Sequence, residues 1–380
     1  MRIGIYTQPL RYNYGGLLQN WALQTVLQRM GHETYTIDPS PYRHLPFPKA
    51  PFVYAHRLCR KIAGYPSRIF NERHLNREHD IKIQNLKSFI DKNIRIREFK
   101  HIEEIASNEF DVLIAGSDQV WRPKYNKSYG RTIENAFFDF ACDWDISRVA
   151  YAASFGTDEW EFTDEQTERC SHLSKLFTAV SVREQSGIEL CRQHLGIEAV
   201  HVLDPTLLLH REDYERVIET GGHTTKPSGN LLCYILDDTP EKKELISKIA
   251  KGKSLVPFMA HSRVFDQTAR IEDKIQPSVE QWLRNIREAE FVVTDSFHAC
   301  VFSIIFGKPF VVVGNEKRGM SRYHSLLSML SLNRHLISSP EDYQADYDYA
   351  IPKEVYQRLD VQRGQSLDFL IKAIAGKEIA

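Results

Sequence analysis

Short apolar runs rich in β-branched residues alternate along this chain with segments of helical periodicity, and this alternation constrains the fold more than any other feature. The first unit has a strand at 2–7, a helix over about 17–30 and a second strand at 33–38. The alternation resumes at 111, and a second series starts at 231. Strands that alternate with helices form a parallel sheet covered by helices. The pattern predicts an α/β protein with two Rossmann-like domains that face each other across a cleft.

The length of the chain also indicates two domains, because 380 residues exceed what one hydrophobic core usually organises. We expect an N-terminal domain over 1–210 and a C-terminal domain over 225–345. The Gly-, Pro-, Ser- and Thr-rich stretch around 210–230 is the predicted linker. We expect the remaining residues, 346–380, to form a helix that can pack back on the N-terminal domain.

The composition argues against several classes of protein. With 49 basic and 50 acidic residues the formal net charge is −1, so bulk electrostatic binding to nucleic acid is not expected. No apolar run is long enough to span a membrane, and the N-terminal sequence lacks the pattern of a signal peptide. The six cysteines are scattered without a CxxC pair, and no HExxH motif occurs. These features are typical of a cytoplasmic protein without a zinc site. They say nothing of its oligomeric state.

Polar residues follow several predicted strands directly, where ligands of open α/β sheets collect. After the first strand, Asn13, Gly15 and Gly16 precede a helix whose N-terminus favours an anion or a sugar hydroxyl. A plain tight turn is the alternative for this stretch. After the run DVLI, Ser117 and Asp118 project polar groups that either contact a ligand or cap the next helix. Both clusters are candidate binding sites.

Basic residues follow two further strands. Arg183 comes directly after the strand at 178–182, where its guanidinium can bind a carboxylate or phosphate. The alternative is a structural ion pair with Glu184. Lys317 and Arg322 follow the run FVVV and precede a helix, an arrangement suited to phosphate. An ordinary solvated basic loop is the alternative.

A histidine stands at the head of an otherwise apolar helix predicted after residue 296. Either Asp295 or Ser296 can cap this helix, which places His298 in its first turn. The helix dipole disfavours a protonated imidazole there, whereas a bound anion would stabilise it. A group that responds in this way can donate a proton and take one back. The alternative is a histidine that only fills the core.

Taken together, these segments resemble the polysaccharide pyruvyl transferase family, over about residues 2–335. The resemblance rests on the stretches NYGGLLQNWALQ, GSDQVW, SVRE, DPTLLL, TDSFHACVFSIIFGKPFV and SRYHSLLSMLSL. It implies a GT-B-like pair of Rossmann domains and transfer of the pyruvyl group of phosphoenolpyruvate onto a sugar of a cell-envelope glycan or exopolysaccharide, as a ketal. It also implies phosphoenolpyruvate as donor substrate, with no cofactor or metal. A nucleotide-sugar-dependent glycosyltransferase and a non-catalytic glycan-binding protein remain alternatives.

The resemblance also implies roles for single residues. The family's important histidine falls on His298, the expected acid/base, and its phosphoenolpyruvate-facing arginine on Arg183. Arg322 and Lys317 would offset the remaining charge of the donor. Asp118 would orient or deprotonate an acceptor hydroxyl. The N-terminal domain is then the acceptor side and the C-terminal domain the donor side.

The segment 42–80 interrupts the alternation and lies outside the resemblance. Between Tyr42 and Arg77 it holds eight Lys or Arg residues against one acid, Glu72, with aromatic residues interleaved. Acceptors of such transferases are often anchored to a membrane lipid, and a basic aromatic arm can bind an anionic membrane at its inner face. A solvated helical hairpin is the alternative.

Overall fold

The computed structural model describes residues 1–39, 42, 45, 47–128, 131–222, 224–260, 262–264, 266, 268–314 and 319–376. Within this part of the chain, the strands form one sheet of seven strands and one of five, and every strand pair is parallel. Helices connect most successive strands in both. The protein therefore has the expected α/β fold, with two Rossmann-like halves.

The first sheet has the strand order β3-β2-β1-β4-β5-β6-β7. Its strands are β1 Arg2–Tyr6, β2 Glu33–Pro39, β3 Ile96–Phe99, β4 Val112–Ala115, β5 Ser147–Ala153, β6 Ala179–Val182 and β7 Val200–His201. The helices of this half are α1 Tyr14–Arg29, α2 Ala50–Ile62, α3 Asn71–Asn93, α4 Pro123–Ser128, α5 Asp164–Ser174, α6 Gln185–Leu190 and α7 Arg211–Thr220. The central strands are buried apolar runs, as expected for strands covered by helices on both faces.

The second sheet has the strand order β12-β11-β10-β8-β9. Its strands are β8 Leu231–Tyr234, β9 Pro257–Met259, β10 Phe291–Thr294, β11 Phe310–Val313 and β12 Leu336–Ile337. Its helices are α8 Pro240–Lys253, α9 Val279–Glu288, α10 Phe297–Ile305 and α11 Ser321–Met329, and the chain continues into α12 Lys353–Ile374. Helix α10 is buried along its whole length, which explains its largely apolar sequence.

One continuous hydrophobic core joins the two halves. Tyr14 of α1 stacks on Trp282 of α9 with ring centroids 5.1 Å apart, and its hydroxyl donates to the carbonyl of Pro277 at 2.7 Å. Helix α12 returns to the first sheet, where the Phe369 ring lies 6.3 Å from that of Tyr151. The two sheets are thereby held in a fixed arrangement around a shared cleft.

The structure differs from the predicted elements in several places. The linker predicted around 210–230 begins with helix α7, whose Tyr214 is fully buried against Phe302, so that part of the prediction is wrong. Strands β3 and β4 are joined through a short 3₁₀ turn, Ile102–Glu104. The edge strands β3 and β12 were not predicted, because β3 carries charged residues and β12 has only two residues. Among the described residues, no helix is long and apolar enough to cross a membrane.

Candidate active site

A cleft of about 540 Å³ lies where the carboxyl ends of strands from both sheets meet. Eight of the candidate residues line it: Asn13, Gly15, Gly16, Asp118, Asp295, Ser296, His298 and Arg322. Ser117 and Arg183 lie behind the wall rather than in it. Lys317 lies outside the described residues. Residues from Asn13 to Arg322, at opposite ends of the sequence, therefore converge on one site.

Helix α10 presents His298 to the cleft in its first turn. Ser296 caps the helix, because its hydroxyl accepts from the backbone N–H of Ala299 at 3.5 Å. Asp295 has a different role: its carboxylate accepts from the backbone N–H of Leu236 at 2.6 Å and from Lys242 Nζ at 2.7 Å. The cap and this anchored carboxylate fix the start of the helix, and with it the position of the histidine.

The imidazole of His298 lies between a buried carboxylate and a glycine. Its Nε2 is 3.7 Å from Asp204 Oδ2. On the other side, a Cβ added to Gly15 would lie 1.9 Å from Nδ1, so only glycine leaves room for the ring. Gly15 itself lines the cleft. Nε2 thus faces the carboxylate, and Nδ1 lies against Gly15 at the wall of the cleft.

Asp204 is a site residue that the sequence reasoning did not single out. It follows β7 in the stretch DPTLLL and accepts from the hydroxyl of Thr206 at 2.7 Å. Burial alone would raise the pKa of this carboxyl, but His298, Arg183 and Thr206 outweigh burial and hold the pKa well below its usual range. An aspartate directly after a strand was the available signal. Its ionised carboxylate can hold a proton on His298 Nε2.

Arg183 is completely buried and forms ion pairs with two carboxylates. One guanidinium nitrogen lies 2.7 Å from Asp204 Oδ2, and the other lies 3.2 Å from Asp118 Oδ1. Ser117 Oγ donates to the same Asp204 oxygen at 3.0 Å. Glu184, the alternative partner of the arginine, instead accepts from the backbone N–H of Phe155 at 2.7 Å. Arg183 and Ser117 therefore support the residues of the cleft from behind.

Arg322 brings a second guanidinium to the cleft wall. Its central carbon is 5.4 Å from the centroid of the Phe297 ring, and that of Arg183 is 5.0 Å from the same ring. Burial and the nearby charge of Arg183 lower the pKa of Arg322. An anion bound in the cleft would offset both effects, so Arg322 is suited to contact an anion there.

Asp118 occupies a strained turn beside the histidine. Its φ is +68°, in the left-handed region, and its Oδ2 accepts from Asn13 Nδ2 at 3.1 Å. Burial raises the pKa of Asp118, but Arg183, His298 and Arg322 outweigh burial and lower it. Asn13 also caps α1, because its Oδ1 accepts from the backbone N–H of Gly15 at 3.1 Å. A carboxylate with a lowered pKa suits hydrogen bonding to a hydroxyl better than proton removal.

Polar and aromatic residues from both halves complete the cleft. They include Gln119 and the unpredicted residues Gln8, Tyr12, Tyr125, Tyr234 and Gln276. Such a mixture of rings and amides is suited to a sugar, which stacks its apolar faces and hydrogen-bonds its hydroxyls. Within the described residues, no group of three or more His, Cys, Asp or Glu side chains is arranged to hold a metal ion.

The chain was compared with solved structures and with curated proteins, and no curated protein matches it significantly. Acinetobacter baumannii MurG is 11% identical, with 99% of this chain and 95% of that chain covered and a TM-score of 0.41. The UDP-GlcNAc 2-epimerase of Methanocaldococcus jannaschii is 10% identical, with 99% of both chains covered and a TM-score of 0.46. Arabidopsis thaliana UGT89C1 complexed with UDP-L-rhamnose is 11% identical, with 98% of both chains covered and a TM-score of 0.46.

A comparison with protein families is more informative. Residues 13–317 match the family described as polysaccharide pyruvyl transferase. The matched range includes the first candidate cluster, Asn13 to Gly16, and the histidine helix α10. Because this range covers most of the chain, the protein belongs to the polysaccharide pyruvyl transferase family.

Proposed function

We propose that this protein transfers the pyruvyl group of phosphoenolpyruvate onto two hydroxyls of a sugar, in a polysaccharide or its precursor, and releases phosphate. The observation that carries the proposal is the placement of His298 in a cleft between the two sheets, with Asp204 behind it and Arg322 beside it. Membership of the family supports a pyruvyl transferase. The donor and the ketal product are part of the proposal.

The charges around the cleft support an anionic donor. Asp118 and Asp204 both pair with Arg183 and so offset its charge. Arg322 lies beside this group, where burial and Arg183 disfavour its own positive charge. Phosphoenolpyruvate carries a carboxylate and a phosphate, and either group would stabilise the guanidinium of Arg322. Lys317 remains a predicted second contact for the phosphate.

The proposed chemistry needs one group that gives and then recovers a proton. His298 Nδ1 donates a proton to carbon 3 of the enol, which leaves an oxocarbenium-like centre at carbon 2. The first sugar hydroxyl attacks that carbon and returns its proton to the histidine. The bond from carbon 2 to the phosphate oxygen then breaks, the second hydroxyl closes the ketal, and its proton leaves with the phosphate. Asp204 stabilises the imidazolium that this cycle requires.

The other residues of the site would position the two substrates. Asp118 accepts a hydrogen bond from a hydroxyl of the sugar and so orients the oxygen of that hydroxyl toward carbon 2. Asn13 holds that carboxylate in place through its 3.1 Å hydrogen bond. Because the site holds donor and acceptor in reacting geometry, it lowers the entropic part of the activation barrier.

Incubation with phosphoenolpyruvate and a panel of sugar diols tests the proposal, with phosphate release and product mass as readouts. His298→Ala should abolish turnover, whereas His324→Ala, an exposed histidine on α11, should retain it and serves as the matched control. Turnover of phosphoenolpyruvate that survives His298→Ala would remove the assigned role. Turnover of a nucleotide sugar in place of phosphoenolpyruvate would favour a glycosyltransferase.

A further inference from the structure

Helix α2 turns its apolar face to the outside. In the described range Ala50–Ile62 no side chain is buried. Phe52 and Ile62 are each 78% exposed and Leu58 is 45% exposed, and all three lie on one face of the helix together with Ala55. A surface helix normally covers the core with such a face. Here the apolar face is available to a partner.

Contacts on the opposite side of α2 hold the helix in this orientation. Arg57 donates two hydrogen bonds to the carboxylate of Glu72, at 2.7 and 2.8 Å. The Tyr54 and Phe70 rings pack edge to face with centroids 5.1 Å apart. These contacts join α2 to the start of α3, and we call residues 47–73 the basic hairpin. The side of α2 that carries Tyr54 and Arg57 packs against the start of α3, so the apolar side faces away from the rest of the hairpin.

Positive charge surrounds the apolar face. Lys49, Arg60, Lys61, Arg68 and Arg73 are exposed. Among the described residues of the basic hairpin, only Arg57 forms an ion pair with a carboxylate. The Arg60 and Arg73 side chains instead lie over the rings of Tyr65 and Phe70. The surface therefore combines exposed apolar side chains with cations that form no ion pair with a carboxylate in the part of the chain that the structure describes.

Helix α3 connects the basic hairpin to the wall of the cleft. His79 Nδ1 is 2.9 Å from the hydroxyl of Tyr12, and Asn85 Nδ2 donates to the carbonyl of Gln276 at 2.9 Å. Tyr12 and Gln276 both line the cleft. Both His79 and Arg73 lie in α3, and the rise per residue of an α-helix places His79 about 9 Å along the axis from Arg73, the last residue of the hairpin. A surface bound to the hairpin is thus close to the cleft.

We propose that the basic hairpin docks the protein on an anionic lipid bilayer. A bilayer offers hydrocarbon to the apolar face and negative headgroups to the surrounding cations. A symmetric contact with a second copy would instead bring like charges together. The docked position also places a membrane-anchored sugar acceptor beside the cleft. That consequence rests on the proposed function, whereas the docking does not.

Flotation of the full chain with phosphatidylcholine vesicles, with and without phosphatidylglycerol, tests the docking. Binding should require the anionic lipid and fall at high salt. Arg60→Glu with Lys61→Glu should lower partitioning at least 25-fold, at about fivefold for each charge removed. Phe52→Ser with Ile62→Ser should lower it at least about tenfold, and both side chains are exposed, so folding should be kept. Lys226→Glu with Lys251→Glu, exposed elsewhere, is the matched control and should bind normally.

Several results would overturn the docking. They are absence of vesicle binding, equal binding to neutral vesicles, and binding that the hairpin variants leave unchanged. A loss of dimer mass in Phe52→Ser with Ile62→Ser, measured by light scattering, would assign the face to a second copy. Phosphate release from phosphoenolpyruvate is a separate readout, and the hairpin variants should keep it with a soluble acceptor. Vesicle binding without any such turnover would overturn the proposed function alone.

Discussion

Replacement of Asp204 by asparagine removes the negative charge behind His298 and leaves the side-chain volume almost unchanged. The two side chains approach to 3.7 Å. Coulomb's law at this separation gives about 4 kcal/mol with an effective dielectric constant of about 20. That energy corresponds to about a thousandfold in the step that needs the imidazolium. We therefore expect Asp204→Asn to lower kcat by about a thousandfold at neutral pH, with a smaller change in KM for phosphoenolpyruvate.

The pH profile distinguishes this role from a merely structural one. Loss of the carboxylate removes the charge beside the ring that is proposed to transfer the proton, so the pH dependence of kcat should change in Asp204→Asn. Ser117→Ala is the matched control, because Ser117 donates to the same carboxylate oxygen but carries no charge. Its activity should fall only a few-fold, and its profile should not move.

Loss of folding must be measured separately, because Asp204 also pairs with buried Arg183. Removing one partner of a buried pair costs about 3–5 kcal/mol, and the contact of Arg183 with Asp118 should limit the loss here. Thermal unfolding followed by circular dichroism gives this value. An Asp204→Asn protein that is folded, retains activity within a few-fold and keeps the original pH profile would refute the reasoning.

Three further predictions concern single residues. Gly15→Ala should lower kcat at least tenfold and destabilise the fold by about 1–3 kcal/mol in urea unfolding, because the added Cβ displaces His298; unchanged kinetics would contradict the close approach. Arg322→Gln should raise KM for phosphoenolpyruvate by about 10–100-fold in steady-state assays, because one charged hydrogen bond to the donor is lost. An unchanged KM would remove Arg322 from the donor site. Burial raises the pKa of Asp38 from 3.8 to about 6 despite Arg131, so its contribution to stability is full below pH 3.8 and is lost as pH rises through 6. Asp38→Asn should flatten this slope in urea unfolding between pH 4 and 7, and an unchanged slope would contradict the raised pKa.

The fold class could be predicted because local patterns largely determine it. Runs such as VLIA in β4 and FVVV in β11 are buried on both faces and therefore carry an uninterrupted apolar signal. The edge strand β3 is half-exposed and charged, and it has no such signal. Helix α7 looked like part of a linker because of the polar residues after it. Its three buried apolar side chains pack against segments that are distant in the sequence, and only the tertiary structure brings those segments next to the helix.

The candidate site was predicted in position but not in all of its contacts. Asp118 and His298, which line the cleft, both follow strand ends and could be found from the order of elements alone. The sequence did not show that Arg183 is held behind the cleft by two carboxylates, one of which is Asp204. Such pairings join residues from different strand ends, and their distances depend on how the strands are arranged in the sheet.

The most direct test of the central claim follows the proton that His298 is proposed to deliver. The reaction is run in deuterated water with phosphoenolpyruvate and an accepted sugar, and the ketal methyl group is examined by nuclear magnetic resonance. The account predicts one deuteron in each product methyl group, and no ketal from His298→Ala. A ketal methyl without deuterium, or normal ketal formation by His298→Ala, would contradict it.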